Sequence, residues 1–198
     1  MYMKKSLTLT DILITIVIAF IFSVIYKLWG PLYSLVGVFG LHVDQLIYGM
    51  WFMAATVAFL IIRKPGIALL AELAAAQGEF LFGGQWGISL LLYGLVQGVG
   101  CELVFAMYRY KSYRLYVTCL AAVGATIGSL LLDVFYGYID SLAAWNLTLL
   151  IVNRLIGAIL ITGVFAYYLV EALDKTGVTK AFRPISQDDY QMLEDEVN

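Results

Sequence analysis

Long apolar stretches succeed one another along most of the chain, and this pattern constrains its fold more than any other feature. A helix that crosses the hydrocarbon core of a bilayer needs about 20 apolar residues. Hydrophobic residues make up 62% of the 198 residues and charged residues 13%, proportions that exclude a soluble globular domain. Six membrane-crossing segments are predicted, at residues 11–29, 44–62, 67–82, 88–108, 113–138 and 145–170. We therefore predict an all-α integral membrane protein, with one six-helix transmembrane domain over residues 1–170 and a polar, acidic tail at 171–198.

The basic residues predict the orientation of these segments. If the segments cross alternately, ten of the twelve lysines and arginines fall at one end of the bundle, together with both termini. These ten are Lys4, Lys5, Arg63, Lys64, Arg109, Lys111, Arg114, Lys175, Lys180 and Arg183. Cytoplasmic loops of membrane proteins carry this excess of positive charge. Both termini are therefore predicted to be cytoplasmic, and the connections at residues 30–43, 83–87 and 138–145 to face outward.

The third segment carries two carboxylates, Glu72 and Glu79, in an otherwise apolar sequence. Because they are seven residues apart, on a helix they lie near one face and about 10 Å apart along the axis. A charged side chain near the bilayer centre costs roughly 2.5–3.5 kcal/mol on insertion scales. The segment, of roughly 16 residues, is also short for a hydrocarbon core of about 30 Å. We therefore expect this segment to lie inside the bundle. We also expect its carboxylates to have a function, because placing them in the membrane costs free energy.

Other polar residues gather in the outer half of the predicted bundle, where the topology converts sequence position into depth. Tyr48, Gln77, Asn153 and Arg154 reach this region from three different segments. Acidic side chains outnumber basic ones there, and aromatic residues such as Trp51 accompany them. Carboxylates and aromatic faces together favour a flat organic cation, and amides can read its hydrogen-bonding edges. We therefore expect a pocket for such a ligand in the outer half of the bundle.

Several polar residues also have structural interpretations that the sequence leaves open. Glu72 and Arg154 have similar predicted depths and can pair with each other. Asp133 lies near the predicted membrane surface, as a simple interfacial residue would. Glu102, near the cytoplasmic end of the fourth segment, is interpreted as a buried structural acid or a partner contact, and His42 as a loop residue.

Sequence motifs of catalysis are missing from the chain. It contains no Walker A sequence, no HExxH zinc motif and no GxSxG elbow, and it has one histidine. We therefore predict a binding or transport protein that is not an enzyme and that uses no metal or cofactor. The chain shows no visible inverted repeat, which disfavours a stand-alone secondary carrier for an organic cation but leaves it as an alternative.

The sequence IIRKPGIALLAELAAAQGE at residues 61–79, followed by GGQWG at 83–87, resembles the YkoE family. The members of this family are substrate-binding S components of energy-coupling factor (ECF) vitamin transporters. The resemblance covers about residues 8–170 and implies the six-helix S-component fold in a bacterial cell membrane. It further implies thiamine, or its precursor hydroxymethylpyrimidine, as substrate. The implied partners are a transmembrane coupling (T) component and two ATP-binding-cassette ATPase modules, which would hydrolyse the ATP.

The family's motif implies substrate-binding roles for Glu72, Glu79 and Trp86, whereas Gln77, Tyr48, Asn153 and Arg154 are expected in the site from their depth alone. The resemblance also implies that substrate binds from outside under a lid formed by residues 30–43. The S component then topples in the membrane to release the substrate inward. Many S components dock on the coupling component through an AxxxA motif in the first helix, whereas here only Ala19 and Ser23 have that spacing. The acidic character of the predicted pocket favours thiamine, a planar cation, over its neutral precursor.

Overall fold

The computed structural model describes residues 7–179, which form helices joined by short turns, with no strand in that range. In chain order the elements are α1 (Leu9–Gly37), a 3₁₀ helix (Val43–Phe52), α2 (Met53–Ile62), α3 (Ile67–Leu81), α4 (Ser89–Met107), α5 (Leu115–Phe135), α6 (Ala144–Ala158), a π helix (Ile159–Phe165) and α7 (Ala166–Lys175). The 3₁₀ helix continues into α2, and α6 continues through the π helix into α7. The described chain therefore crosses six times, and the predicted all-α, six-helix architecture is confirmed.

Within residues 7–179, five of the six crossings are long and apolar enough to span a membrane, and the remaining one, α3, has 15 residues. Helix α3 packs against α1, α2 and α4. Its two carboxylates, Glu72 and Glu79, are each only 1% exposed. Every residue of α2 is buried, as expected of a helix that is apolar on all sides. Helix α2 therefore forms the interior of the bundle, and α3 turns its carboxylate face inward while its opposite face is exposed.

The prediction of an outer loop at residues 30–43 is wrong, because α1 continues through Pro31 and ends at Gly37. Proline removes one backbone N–H, but membrane helices tolerate it where neighbouring groups satisfy the backbone. Next to the proline, the side-chain amide of Gln85 donates to the carbonyl oxygen of Gly30 at 3.2 Å and joins α1 to the turn after α3. The last two turns of α1 therefore belong to the helix bundle.

The connection that follows α1 spans only residues 38–42. Asn153 of α6 donates to the carbonyl oxygens of Leu41 and His42 at 3.0 and 3.1 Å. The His42 ring nitrogen Nε2 lies 2.7 Å from the amide oxygen of Asn146. His42 is thus confirmed as a loop residue. The loop predicted at residues 30–43 is reduced to this short connection, and its role as a lid stays a prediction.

The turn between α2 and α3 is held by a carboxylate from α4. Arg63 and Gly66 both adopt left-handed backbone conformations, with φ of 59° and 84°. Glu102 accepts hydrogen bonds from the backbone N–H groups of Gly66, Ala68 and Leu69 at 2.5, 3.1 and 3.3 Å. It therefore caps the N-terminus of α3, where free N–H groups and the helix dipole favour a negative charge. The interpretation of Glu102 as a structural acid is confirmed, although its side chain is only partly buried.

The small-residue pair of the first helix faces α3 within the same chain. Ala19 and Ser23 are 3% and 2% exposed, and the hydroxyl of Ser23 donates to the carbonyl of Ala75 at 3.1 Å. A Cβ atom at Gly78 would lie 2.1 Å from the Ser23 hydroxyl oxygen, so the two helices are in close contact. This pair therefore joins α1 to α3, and its side chains are buried within the chain and do not face a partner.

The last crossing ends at Lys175, five residues beyond the predicted domain boundary at residue 170. Glu171 and Lys175 form an ion pair at 3.0 Å, one turn apart on α7. The first part of the predicted tail is therefore helical. The rest of that tail, from residue 180 onward, lies outside the described part of the chain. The same is true of Lys4 and Lys5, which were predicted to be cytoplasmic.

Candidate functional site

A cavity of about 220 Å³ lies among the 3₁₀ helix and helices α1, α3, α4, α5 and α6, in the outer half of the bundle. Carboxylates, aromatic rings and amides share its lining, among them Glu72, Glu79, Tyr48, Trp51, Trp86 and Gln97. Concave sites with apolar walls and a few convergent polar groups are typical of small-molecule binding. This cavity is therefore the candidate functional site.

Glu72 reaches the cavity from the middle of α3. Its oxygen Oε2 accepts hydrogen bonds from the Tyr26 hydroxyl at 3.2 Å and from the Ala55 backbone N–H at 3.1 Å. The Tyr26 hydroxyl in turn accepts the backbone N–H of Ala54 at 3.0 Å, which fixes its direction. Among residues 7–179, nothing donates to the other oxygen of Glu72, Oε1, and this oxygen is therefore available to a bound molecule.

Glu79 lies two turns further along α3, beside a cluster of aromatic rings. The indole Nε1 of Trp51 lies 3.3 and 3.1 Å from its two carboxylate oxygens. Trp51 meets Trp86 edge-to-face with ring centroids 5.1 Å apart, and Tyr33 and Tyr48 lie 5.3 and 5.5 Å from Trp51. The cluster of Tyr33, Tyr48, Trp51 and Trp86 thus forms an aromatic wall with a carboxylate at its edge.

Neither α3 carboxylate has a cationic partner among residues 7–179. No lysine or arginine nitrogen of that range lies within 4.0 Å of Glu72 or Glu79. Lys27, the basic residue of α1 in this half of the bundle, donates instead to the carbonyl of Gly83 in the turn after α3. The cavity therefore contains two carboxyl groups that make no direct ionic contact with the described part of the protein.

Arg154 of α6 is paired with Asp133 and not with Glu72, so the alternative of a Glu72–Arg154 pair is wrong. Its guanidinium donates to Asp133 at 2.6 Å, to Gln45 at 2.7 Å and to Ser129 at 3.1 Å. Asp133 is 5% exposed, so its interpretation as an interfacial residue is also wrong.

This ion pair is built into the wall of the cavity. The Arg154 guanidinium carbon lies 4.1 Å from the ring centroid of Tyr48, within the range of a cation–π contact. The Tyr93 hydroxyl donates to Asp133 at 2.5 Å. Arg154 and Asp133 neutralise each other and hold the cavity side chains around them.

The structure brings five of the seven predicted site residues to the cavity: Glu72, Glu79, Trp86, Tyr48 and Arg154. Gln77 and Asn153 do not line it. Gln77 is exposed on the outside of α3, because two residues from Glu79 correspond to a rotation of about 200° around a helix. Asn153 is turned by about 100° from Arg154 and binds the 38–42 connection.

Sequence reasoning missed Tyr26, Tyr33 and Gln45, all of which line the cavity. Tyr33 was assigned to an outer loop that is in fact helix. Gln45 precedes Tyr48 and Trp51 at intervals of three residues, a spacing that matches a 3₁₀ helix. That interval was the available signal for Gln45. No comparable signal marks Tyr26 within the apolar sequence of α1.

Comparison with known proteins gives concordant results. The family model described as "ABC-type cobalt transport system, permease component" matches residues 10–128. The protein YkoE of Bacillus subtilis (strain 168), named as an HMP/thiamine permease, is 37% identical over 175 residues, covering 88% of each chain. A crystal structure of an S component of an ECF transporter superposes with a TM-score of 0.85 at 32% identity, covering 96% of this chain and 95% of that one. The chain therefore belongs to the YkoE family of S components of ECF transporters, multi-pass proteins of the cell membrane.

Proposed function

We propose that this protein binds thiamine from the outside of the cell in the cavity of the outer half. The observation that carries the proposal is the presence of two buried carboxyl groups, Glu72 and Glu79, with no lysine or arginine nitrogen of residues 7–179 within 4.0 Å. Burying a carboxylate without a countercharge is costly. A cationic ligand supplies that countercharge, so binding relieves the electrostatic cost of the buried carboxylates.

The shape and chemistry of thiamine suit the groups around these carboxylates. Thiamine carries a positively charged ring and an aminopyrimidine, so it combines a flat cation with hydrogen-bonding edges. We propose that Glu79 pairs with the charged ring, and that Glu72 accepts a hydrogen bond from the ligand through Oε1. Trp86 and Tyr48 then provide aromatic contact, and Arg154 holds Tyr48 in place. Stacking and cation–π contact with such rings stabilise a desolvated organic cation.

In this proposal, partner proteins supply the energy for uptake. The chain has no Walker A sequence, so a coupling (T) component and ABC-type ATPase modules would provide ATP hydrolysis and movement. The solved relative with a TM-score of 0.85 is described as an S component of an ECF transporter, which supports this division of labour. The protein itself acts as the binding subunit and not as an enzyme.

Hydroxymethylpyrimidine is the second candidate substrate, and the name of the Bacillus subtilis relative supports it equally. It carries no permanent positive charge, so its binding would depend on the amides Gln45 and Gln97, which line the cavity. The binding of the two candidates therefore depends on the charge of Glu79 to different extents. Loss of its charge would weaken the binding of thiamine much more than that of the neutral pyrimidine.

Calorimetric titration of the detergent-purified protein with thiamine and, separately, with hydroxymethylpyrimidine tests the proposal. We expect one-to-one binding of thiamine that is tighter than binding of the pyrimidine. Tighter binding of the pyrimidine would instead identify the precursor as the substrate and assign recognition to the amides. Binding of neither molecule would refute the proposed function.

A further inference from the structure

The 3₁₀ helix presents three cavity residues on one face. Gln45, Tyr48 and Trp51 are spaced by three residues and all line the cavity. A 3₁₀ helix has 3.0 residues per turn, so side chains at this spacing lie directly above one another. In an α-helix each step of three residues would fall short of a full turn by about 60°. The 3₁₀ winding is therefore what directs all three side chains to the cavity.

Each of the three aligned side chains makes a contact that shapes the site. Gln45 accepts a hydrogen bond from Arg154 at 2.7 Å, and Tyr48 lies beneath the same guanidinium. Trp51 donates to Glu79. If residues 43–52 rewound as an α-helix, Trp51 would turn by about 120° relative to Gln45. Such a turn would separate the aromatic wall from Glu79.

A 3₁₀ run of ten residues is unusually long, since such helices rarely exceed three or four residues. An adjacent face, turned by about 120° from the cavity face, packs tightly on α6 at Gly49. A Cβ atom at Gly49 would lie 2.7 Å from the Cα atom of Ala158, and one at Gly157 would lie 2.2 Å from the carbonyl oxygen of Leu46. The two backbones are therefore in direct contact, and this contact depends on both glycines.

One side chain outside the cavity also binds the backbone of the 3₁₀ helix. Thr162, in the π helix Ile159–Phe165, is fully buried and does not line the cavity. Its hydroxyl donates to the carbonyl oxygen of Gly49. A carbonyl has two lone pairs, so it can accept this bond in addition to one within its own helix.

The π helix that carries Thr162 is held in position by contacts with α5. The hydroxyl of Thr118 donates to the carbonyl of Gly163 at 2.9 Å. A Cβ atom at Gly163 would lie 2.8 Å from the Cα atom of Cys119, so the helices touch there. π-type turns are rare and are found mainly at functional sites. Here the wide turn brings the Thr162 hydroxyl to the carbonyl of Gly49.

We infer that Thr162 is a positioning residue for the binding cavity. Its hydroxyl fixes the Gly49 carbonyl and so holds residues 43–52 in the 3₁₀ winding that aligns Gln45, Tyr48 and Trp51. Rewinding as an α-helix would rotate the segment by about 20° per residue and shorten it by about 0.5 Å per residue, and the bond to Thr162 would be lost. The inference goes beyond the proposed function and rests on it for its readout.

Thiamine titration of four proteins tests this role: wild type, Thr162→Val, Thr162→Ser and Thr56→Val. We expect Thr162→Val to bind roughly tenfold more weakly, because the buried carbonyl loses its second donor. Thr162→Ser keeps the hydroxyl and should restore most of the affinity. Thr56→Val is the matched control, since Thr56 is equally buried and its hydroxyl makes no hydrogen bond to the 3₁₀ helix. If Thr162→Val does not fold, Thr162→Ala replaces it with the same expectation.

A double-mutant cycle with Trp51→Phe separates positioning from general stability. If Thr162 acts by aligning the 3₁₀ face, Thr162→Val should cost less affinity when Trp51 is already replaced. The positioning role would be overturned if the losses of affinity in Thr162→Val and Trp51→Phe were additive. It would also be overturned if Thr162→Val lost as much affinity as Thr56→Val, or lost none. These outcomes would leave the proposed function intact. Wild-type protein that binds neither thiamine nor hydroxymethylpyrimidine would overturn the proposed function, and the positioning role with it.

Discussion

The outer and cytoplasmic halves of the bundle both contain carboxylates that are buried or partly buried, but they satisfy them in different ways. At the cytoplasmic end, Glu102 accepts three backbone N–H groups and Asp11 pairs with Lys64 at 2.6 Å. In the outer half, Glu79 has one indole donor, and Glu72 leaves Oε1 without a donor among residues 7–179. Carboxylates that are satisfied within the chain stabilise the fold. Those with unused hydrogen-bonding capacity face the cavity, where a ligand can complete them.

Nearness to the cavity does not by itself distinguish the two kinds of carboxylate. Asp133 lines the cavity, yet it is paired with Arg154 and accepts a hydrogen bond from Tyr93. Its contacts resemble those of the cytoplasmic carboxylates more than those of Glu79. The distinguishing property is therefore the partner of each charge and not its depth in the membrane.

The largest effect on stability is expected from breaking the ion pair beside the cavity. Arg154→Met leaves Asp133 buried without a countercharge, which should destabilise the protein by about 3–5 kcal/mol. The midpoint of thermal unfolding in detergent measures this loss. The double variant Arg154→Met/Asp133→Leu removes both charges and should recover part of the stability. A single variant that unfolds at the wild-type midpoint would contradict the structural role of the pair.

Removing the charge of the unpaired carboxylate should affect binding more than stability. Glu79→Gln is expected to weaken thiamine binding about a hundredfold, or ~3 kcal/mol, because the ligand's charge loses its partner. Titration calorimetry provides the measurement. Glu171→Gln, the same substitution on the more exposed helix α7, is the matched control. Unchanged affinity in Glu79→Gln would mean that this carboxylate does not face the ligand.

The cytoplasmic carboxylate should show the opposite behaviour. Glu102→Ala leaves the N-terminus of α3 uncapped, and we expect a loss of about 2 kcal/mol in stability. Thiamine affinity, measured on the folded protein, should stay close to that of the wild type. A selective loss of affinity without a lower unfolding midpoint would remove the distinction between the two halves.

The smallest effect is expected for an amide on the outside of α3. Gln77→Leu should leave thiamine affinity unchanged, because Gln77 is exposed and does not line the cavity. Gln97→Leu, the same substitution at a buried amide of the cavity wall, should weaken binding several-fold. Equal affinity in the two variants would show that the cavity lining does not predict the site.

Much of the fold could be predicted from the sequence because the bilayer imposes strong and simple requirements. The positions of the crossings follow from hydropathy, and their predicted orientation follows from the basic residues. Side-chain partners could not be predicted in the same way. Arg154 and Glu72 have similar predicted depths, yet Arg154 pairs with Asp133, because depth specifies nothing about direction around a helix axis. The expected positions of Gln77 and Asn153 in the site fail for the same reason.

The sequence alone determined the membrane class, the six crossings, the two carboxylates of α3 and the resemblance to a transporter family. These follow from residue types and spacings along one dimension, which hydropathy, charge and motif record directly. Only the tertiary structure decided that α1 continues through Pro31, that residues 43–52 wind as a 3₁₀ helix, and which side chains meet at the cavity. Those features depend on contacts between distant parts of the chain, such as Gly49 against Gly157 and Ala158. Local sequence cannot specify such contacts, because the partners are far apart along the chain: 55 residues for Gly30 and Gln85, and more than a hundred for Gly49 and Ala158.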